Sequence, residues 1–263
     1  MATDNPYPVF VVGSPRSGTT IFAQAMQRAG YHGFIEGHVL GLLGRLRRIS
    51  DDYFQRFWTD DPFMMISRID REEFKAGLGD LFKRLVEREN PVPPWFDKSP
   101  NLEVISLIPV LFELWPSSRF IFAKRRALEN IASRLKKFPG FDFEYHCRDW
   151  ATSMAEWRAI KLAMPDLPCI EVDQQDMIRN PAATTAQIGD FLNFSEQQRS
   201  RFMAAYRKER PQQTGVGTTE RVLTLASASW SPQHVALFMK HCKPEMDRYG
   251  YTLDQTYNTP QPG

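Results

Sequence analysis

Apolar positions along this chain follow two rhythms. Four short runs are almost unbroken: Val9-Phe10-Val11-Val12, Trp95-Phe96, Phe120-Ile121-Phe122-Ala123 and Cys169-Ile170-Glu171-Val172. Runs of this length, rich in branched and aromatic residues, suit strands buried on both faces of a parallel sheet. Between them the apolar residues recur at helical spacing. Ile21, Phe22, Ala25, Met26 and Ala29 share one side of a helix that starts at Thr19 and ends at Gly30. Asp70-Arg71-Glu72-Glu73 reads as a capping box, and Phe74, Leu78, Leu81, Phe82 and Leu85 form the stripe behind it. A Pro-rich stop covers 91–94. A further helix follows the third run and reaches about Lys137, before the Pro139-Gly140 break. The same spacing predicts helices over 144–164, 181–193, 195–208 and 232–248, with Pro181 at the first helical position of its segment. Strands alternating with helices predict an α/β fold: three layers, a mostly parallel central sheet, helices on both sides.

Composition adds little to this and removes several alternatives. The 263 residues hold 33 Lys and Arg against 31 Asp and Glu, a net charge of +2. That balance excludes a polyanion-wrapping protein and predicts no nucleic-acid partner, while leaving room for a small anion held by a local cluster of donors. Cys147, Cys169 and Cys242 are widely spaced, which is neither a disulfide framework nor a zinc site. The opening MATDNPYPVF lacks a basic and apolar leader, and no run nears the ~18 apolar residues of a membrane span. The expectation is a cytoplasmic chain without a membrane span, one domain over 1–263 with tails near 1–6 and 258–263.

The chemistry concentrates in Gly13-Ser14-Pro15-Arg16-Ser17-Gly18-Thr19-Thr20, between the first strand and the first helix. A glycine-bounded loop there can wrap a phosphate with backbone N–H groups. The helix N-terminus adds partial positive charge, and Ser17, Thr19 and Thr20 add hydroxyls. Against the Walker pattern GxxxxGK[ST], both glycines and the last Thr fit, but Thr19 stands where the Lys belongs. Without that Lys the loop is a poor triphosphate grip. The positive charge sits inside the loop instead, at Arg16.

Pro15-Arg16-Ser17-Gly18-Thr19-Thr20 resembles the 5′-phosphosulfate loop of sulfotransferases that use 3′-phosphoadenosine 5′-phosphosulfate (PAPS). In style it is closest to bacterial and tyrosylprotein-type members, which carry Arg at this place. The resemblance implies an Arg at a later strand end with a Ser eight residues on, together holding the 3′-phosphate. Arg125 and Ser133 have that spacing, although Arg126-Ala127 follows where the family often has Asp-Pro or Asp-Gly, so Arg126 competes for the role. Asp97-Lys98-Ser99-Pro100 is similar to the family's Lys-Ser-Pro segment and implies a site role for Lys98. Glu36, after the first helix, matches the family's catalytic base, with His38 as its rival. The cofactor set so implied is Arg16, Ser17, Gly18, Thr19, Thr20, Arg125 and Ser133. The catalytic set is Glu36, Arg16, Lys98 and His38, with no metal. In the late polar loop Arg210, Thr218 or Arg221 is available to cover the nucleotide.

The implied reaction is in-line transfer of a sulfuryl group to a hydroxyl or amine, leaving 3′-phosphoadenosine 5′-phosphate. Positioning and electrostatics dominate such a displacement. The acceptor class is a small molecule, a sugar or a lipid-like compound. Residues 40–66 interleave Arg45, Arg47 and Arg48 with Tyr53, Phe54, Phe57, Trp58, Phe63, Met64 and Met65, which suits either an acceptor pocket or an amphipathic helical cap. Two other functions stay open at this level. A small-molecule kinase needs the missing Lys and a magnesium carboxylate; a non-catalytic nucleotide-binding module predicts binding without turnover.

Overall fold

The computed structural model describes residues 7–90, 92–208 and 222–259. Within them, β1 (Val9–Gly13), β2 (His32–Phe34), β3 (Trp95–Lys98), β4 (Arg119–Lys124) and β5 (Cys169–Asp173) form one sheet. Its order is β2-β3-β1-β4-β5, and all four pairings are parallel. Val11 of β1 lies opposite Lys98 on one side and Ile121 on the other. All five residues of β1 are buried, as an unbroken apolar run in a central strand requires.

Alternation along the strands divides the core in two. Phe10, Val12, Trp95, Phe120 and Phe122 face one layer of helices: α2 (Val39–Phe57), α3 (Arg71–Glu89), α4 (Leu102–Ser106), α5 (Ile108–Leu114), α6 (Ala127–Lys137), α7 (Phe143–Ala163), α11 (Pro232–His241) and α12 (Lys243–Arg248). Phe122 stacks on Trp157 of α7, ring centroids 4.6 Å apart. Val9, Val11, Phe96, Ile121 and Val172 face the opposite layer. That layer is α1 (Thr19–Arg28), the short α8 (Gln174–Arg179), α9 (Pro181–Phe191) and α10 (Glu196–Lys208). The expected three-layer α/β fold is the one observed.

Local signals set many of the boundaries. Asp70 accepts a hydrogen bond from the Glu73 amide at 2.7 Å and caps α3. Pro181 opens α9 at its first turn. Gly30, φ +92, follows the last residues of α1. Two expectations need revision. The helix over 232–248 is broken into α11 and α12, because Pro244 in the first turn of α12 cannot donate to the preceding turn. The apolar-run reading also missed β2, whose three residues His32-Gly33-Phe34 alternate too briefly to register, and the paired helices α4 and α5.

The chain leaves β1 into α1 on one face of the sheet and leaves β4 into α6 on the other. The strand order turns at β1 and β4, so a crevice opens there at the carboxyl edge. The loop of residues 13–20, Lys98 and Arg125 all lie at that edge.

Candidate active site

The loop between β1 and α1 is held in a conformation that few sequences tolerate. Gly13 has φ +145, and a Cβ there would sit 2.2 Å from the Ala123 carbonyl oxygen of β4. Arg16 adopts φ +72, an unusual backbone for a side-chain-bearing residue and a feature that gathers at functional sites. Gly18, φ +83, is the N-cap of α1 and offers no side chain to the amides of the first turn. Helix geometry leaves those amides without an intrahelical acceptor. They face the carboxyl edge of the sheet with the positive end of the α1 dipole.

α6 braces this loop from the side. Asn130 Nδ2 donates to the Pro15 carbonyl at 3.0 Å and to Ser17 Oγ at 3.2 Å. Ser17 is fully buried, and with Asn130 donating to its oxygen its O–H proton is free to donate in turn. Arg134 Nη2 donates to Ser14 Oγ at 2.7 Å, its Nε to Asn130 Oδ1 at 2.8 Å, and its Nη1 pairs with Asp149 Oδ2 at 2.6 Å. Asn130 and Arg134 escaped the sequence reading. The available signal was two polar residues four apart, together with Ser133, on one side of an otherwise amphipathic helix.

Arg16 and Ser133 meet across 117 positions: Arg16 Nε donates to Ser133 Oγ at 3.0 Å. Arg125 Nη1 donates to the Arg16 carbonyl at 3.1 Å, and its own carbonyl accepts from Trp150 Nε1 at 3.0 Å. Among the described residues Arg125 Nε is buried without a hydrogen-bond partner. Loss of water on burial pushes the Arg16 and Arg125 guanidiniums below their ordinary range. Arg126 points elsewhere. Its five donors are all taken: two by Glu129, at 3.0 and 2.5 Å, and three by the carbonyls of Thr252, Asp254 and Leu223. It pins the C-terminal segment to the sheet and keeps no donor for a ligand.

Lys98, at the end of β3, is buried, and its Nζ lies 2.5 Å from Glu36 Oε1. Burial lowers its pKa, and the Glu36 carboxylate acts against that shift. The second Glu36 oxygen is 3.7 Å from His38 Nε2. His38 is the N-cap of α2, with φ +57, and its side chain makes no cap bond; Glu36 turns to Lys98. The structure thus gathers Glu36, His38 and Lys98 at one end of the crevice and Arg16, Arg125 and Ser133 at the other. Thr19 is buried at the helix start and Thr20 is half-buried beside it.

Residues 40–66 form mainly a helical cap. Leu40, Leu43 and Phe54 of α2 point into the core. Arg45 pairs with Glu103 at 3.3 Å, and Phe63, Met64 and Met65 are exposed. Arg210, Thr218 and Arg221 lie outside the described residues. No described helix is long and apolar enough to cross a membrane.

A family model described as the sulfotransferase family matches residues 8–198, and the chain belongs to that family. Its matched span contains the loop, Glu36, His38, Lys98, Arg125 and Ser133. No curated protein matches the chain by sequence. Among solved structures it is similar to the sulfotransferase STF9 from Mycobacterium avium, with a TM-score of 0.56 and 14% identity over 93% of this chain and 76% of that one. It is also similar to the sulfotransferase domain from the curacin biosynthetic pathway, with a TM-score of 0.52 and 18% identity over 95% of this chain and 99% of that one. The sulfotransferase domain of the Synechococcus PCC 7002 olefin synthase gives a TM-score of 0.52 and 18% identity over 97% and 98%. At these identities the likeness is one of fold.

Proposed function

We propose that this sulfotransferase takes its sulfuryl group from PAPS and delivers it to a hydroxyl or amine of a small-molecule, sugar or lipid-like acceptor. The observation that carries the proposal is the convergence of Arg16, Arg125 and Ser133 on one phosphate-type loop, with Arg125 Nε buried and unpartnered. A buried guanidinium N–H without an acceptor is costly unless an anion completes it. The residues fit a donor with two separate phosphate ends. The loop amides of α1, Ser17, Thr19 and Thr20 hold the 5′ side, and Arg125 with Ser133 holds the 3′-phosphate. When bound, PAPS supplies an activated sulfuryl group whose leaving oxygen departs with 3′-phosphoadenosine 5′-phosphate.

The protein's share of the reaction is positioning and charge. Glu36 takes the proton from the acceptor as the new bond to sulfur forms. His38, 3.7 Å away, is the second base within reach of the same proton. Arg16 and Lys98 stabilise negative charge as it moves to the leaving oxygen. Lys98 bridges the two halves, sharing its ammonium between Glu36 and the sulfonate.

Calorimetric titration with 3′-phosphoadenosine 5′-phosphate tests the donor assignment. Micromolar-class binding is expected, falling at least tenfold in Arg125→Ala and far weaker for plain AMP. Equal affinity for AMP, or no binding, overturns it. With a trial acceptor, Glu36→Gln should lose at least a hundredfold in kcat while keeping nucleotide affinity, a general-base contribution of ordinary size.

A further inference from the structure

The turn that carries Glu36 rests on an acid to which nothing above gives a role. Asp97, the residue before Lys98 in β3, is buried, and its Oδ1 accepts a hydrogen bond from Ser99 Oγ at 2.6 Å. Asp97 and Ser99 are two apart along an extended segment that continues its ladder through the Ser99 amide to the Val11 carbonyl. They therefore share a face of the sheet. Against the other carboxylate oxygen lies Gly37. A Cβ at Gly37 would stand 2.0 Å from Asp97 Oδ2 and 3.0 Å from Asp97 Cγ. Gly37 does not have the positive φ that would make it a conformational necessity. The constraint is space: the main chain between Glu36 and His38 lies directly on the carboxylate.

We propose that Asp97 is a positioning residue, a buried carboxylate clamped by Ser99 that seats Gly37 and thereby fixes Glu36 against Lys98. The proposal rests on the assignment of Glu36 as base and names what holds it. Three facts support a seat over simple filling. Asp97 is charged where an apolar residue would be cheaper, and burial pushes its carboxyl up to about 6. It lies near enough to Lys98, His38 and Glu36 to interact electrostatically with each of them. The next residue, Lys98, makes the contact to Glu36 that the seat would set. One strand end thus supplies both the surface under the turn and the cation beside its acid.

The test pairs substitutions on the two sides of the contact. Gly37→Ala should displace the turn, open the Glu36 Oε1–Lys98 Nζ contact beyond 4 Å in its crystal structure, and lower kcat at least tenfold. KM for PAPS should stay within twofold, since the loop and Arg125 are untouched. Turnover is read as 3′-phosphoadenosine 5′-phosphate released with p-nitrophenol as trial acceptor. Asp97→Ala should cost about tenfold by removing the seat. The double variant Gly37→Ala/Asp97→Ala should recover at least threefold over Gly37→Ala, because the new methyl occupies space the carboxylate leaves. Losses that multiply in the folded double variant, or a Gly37→Ala protein with wild-type kcat and an intact Glu36–Lys98 contact, overturn the proposal. If Gly37→Ala does not fold, Ser99→Ala carries the test: unclamping Asp97 should lower kcat two- to fivefold, and an unchanged contact and kcat reject the idea. Should the wild type release no nucleotide with any acceptor, the function reading fails, while the contact distances still decide the seat.

Discussion

Replacing Arg134 with Ala is the sharpest perturbation of the loop that leaves the loop's own residues untouched. Arg134 is buried and spends one guanidinium on three partners: Ser14 Oγ at 2.7 Å, Asn130 Oδ1 at 2.8 Å and Asp149 Oδ2 at 2.6 Å. Ser14 and Asn130 are completely buried, so water cannot replace what they lose. Two charge-assisted hydrogen bonds at roughly 1.5–3 kcal/mol each set the scale. Asp149 is one-fifth exposed and can rehydrate, so it escapes the penalty of a stranded buried ion. The expected loss is about 4 kcal/mol, which for a chain of this size is a fall of roughly 8–16 °C in Tm. Because Asn130 also holds the Pro15 carbonyl and Ser17, the loosened loop should bind 3′-phosphoadenosine 5′-phosphate about tenfold more weakly. Denaturant unfolding and calorimetry read the two effects. Asp149→Asn is the control: its Oδ1 can still accept from Arg134 Nη1 and it spares the bonds to Ser14 and Asn130, so it should cost clearly less than Arg134→Ala, even though the buried guanidinium loses its counter-charge, and leave nucleotide affinity alone. An Arg134→Ala protein within 1 kcal/mol of wild type, or an Asp149→Asn protein as impaired as Arg134→Ala, refutes the bracing role.

Glu171 offers a pH test. Lys124, Lys161 and Trp157 hold its carboxylate down to about 2, against an ordinary value of 4.5. A depressed acid stabilises the fold above its unfolded pKa and loses that contribution as pH falls through its folded one. The stability from Glu171, up to about 3 kcal/mol, should therefore disappear between about pH 4.5 and 2, and Glu171→Gln should flatten that part of the unfolding profile. Gly13→Ala should destabilise by more than about 3 kcal/mol, since its Cβ would strike the Ala123 carbonyl of a central strand; wild-type unfolding would contradict the close approach. Arg126→Met leaves Glu129 buried without its main partner and frees the carbonyls of Leu223, Thr252 and Asp254. It should cost about 3–5 kcal/mol and expose the C-terminal segment to limited proteolysis, with Arg125-dependent nucleotide binding less affected than stability.

How legible the site was depended on whether neighbours in sequence or neighbours in space make each contact. The loop of 13–20 was readable as a glycine-bounded strand-to-helix turn because strand, glycines, hydroxyls and helix follow one another along the chain. Arg125 and Ser133 were readable as a spaced pair on a strand end and its helix. The choice between Arg125 and Arg126 was not, since both are cations at one helix start. Contacts in space set the two apart: Glu129 and three carbonyls about a hundred positions away absorb every donor of Arg126. Arg134 and Asn130 were hidden for the same reason: their partners are the loop itself, more than a hundred residues back. β2 was missed because three alternating residues carry no periodicity, and its place at the sheet edge comes from pairing with β3.

The near-neutral charge of the chain acquires a physical meaning from these pairings. Cations at the crevice are separated into those already neutralised and those that are not. Arg126 is matched by Glu129, Arg134 by Asp149, Lys124 by Glu171 and Lys98 by Glu36. Arg125 instead spends one nitrogen on a carbonyl and leaves Nε bare. Arrangements in which every cation has its carboxylate are stable without a ligand; one that leaves a buried guanidinium N–H open is stabilised when an anion arrives. Lys98 occupies the middle case. Its partner Glu36 is 45% exposed, and the next residue, Gly37, lies against the Asp97 carboxylate. In the proposed reaction a sulfonate beside Lys98 would share that ammonium with Glu36, so donor binding would change the contacts of the proposed base.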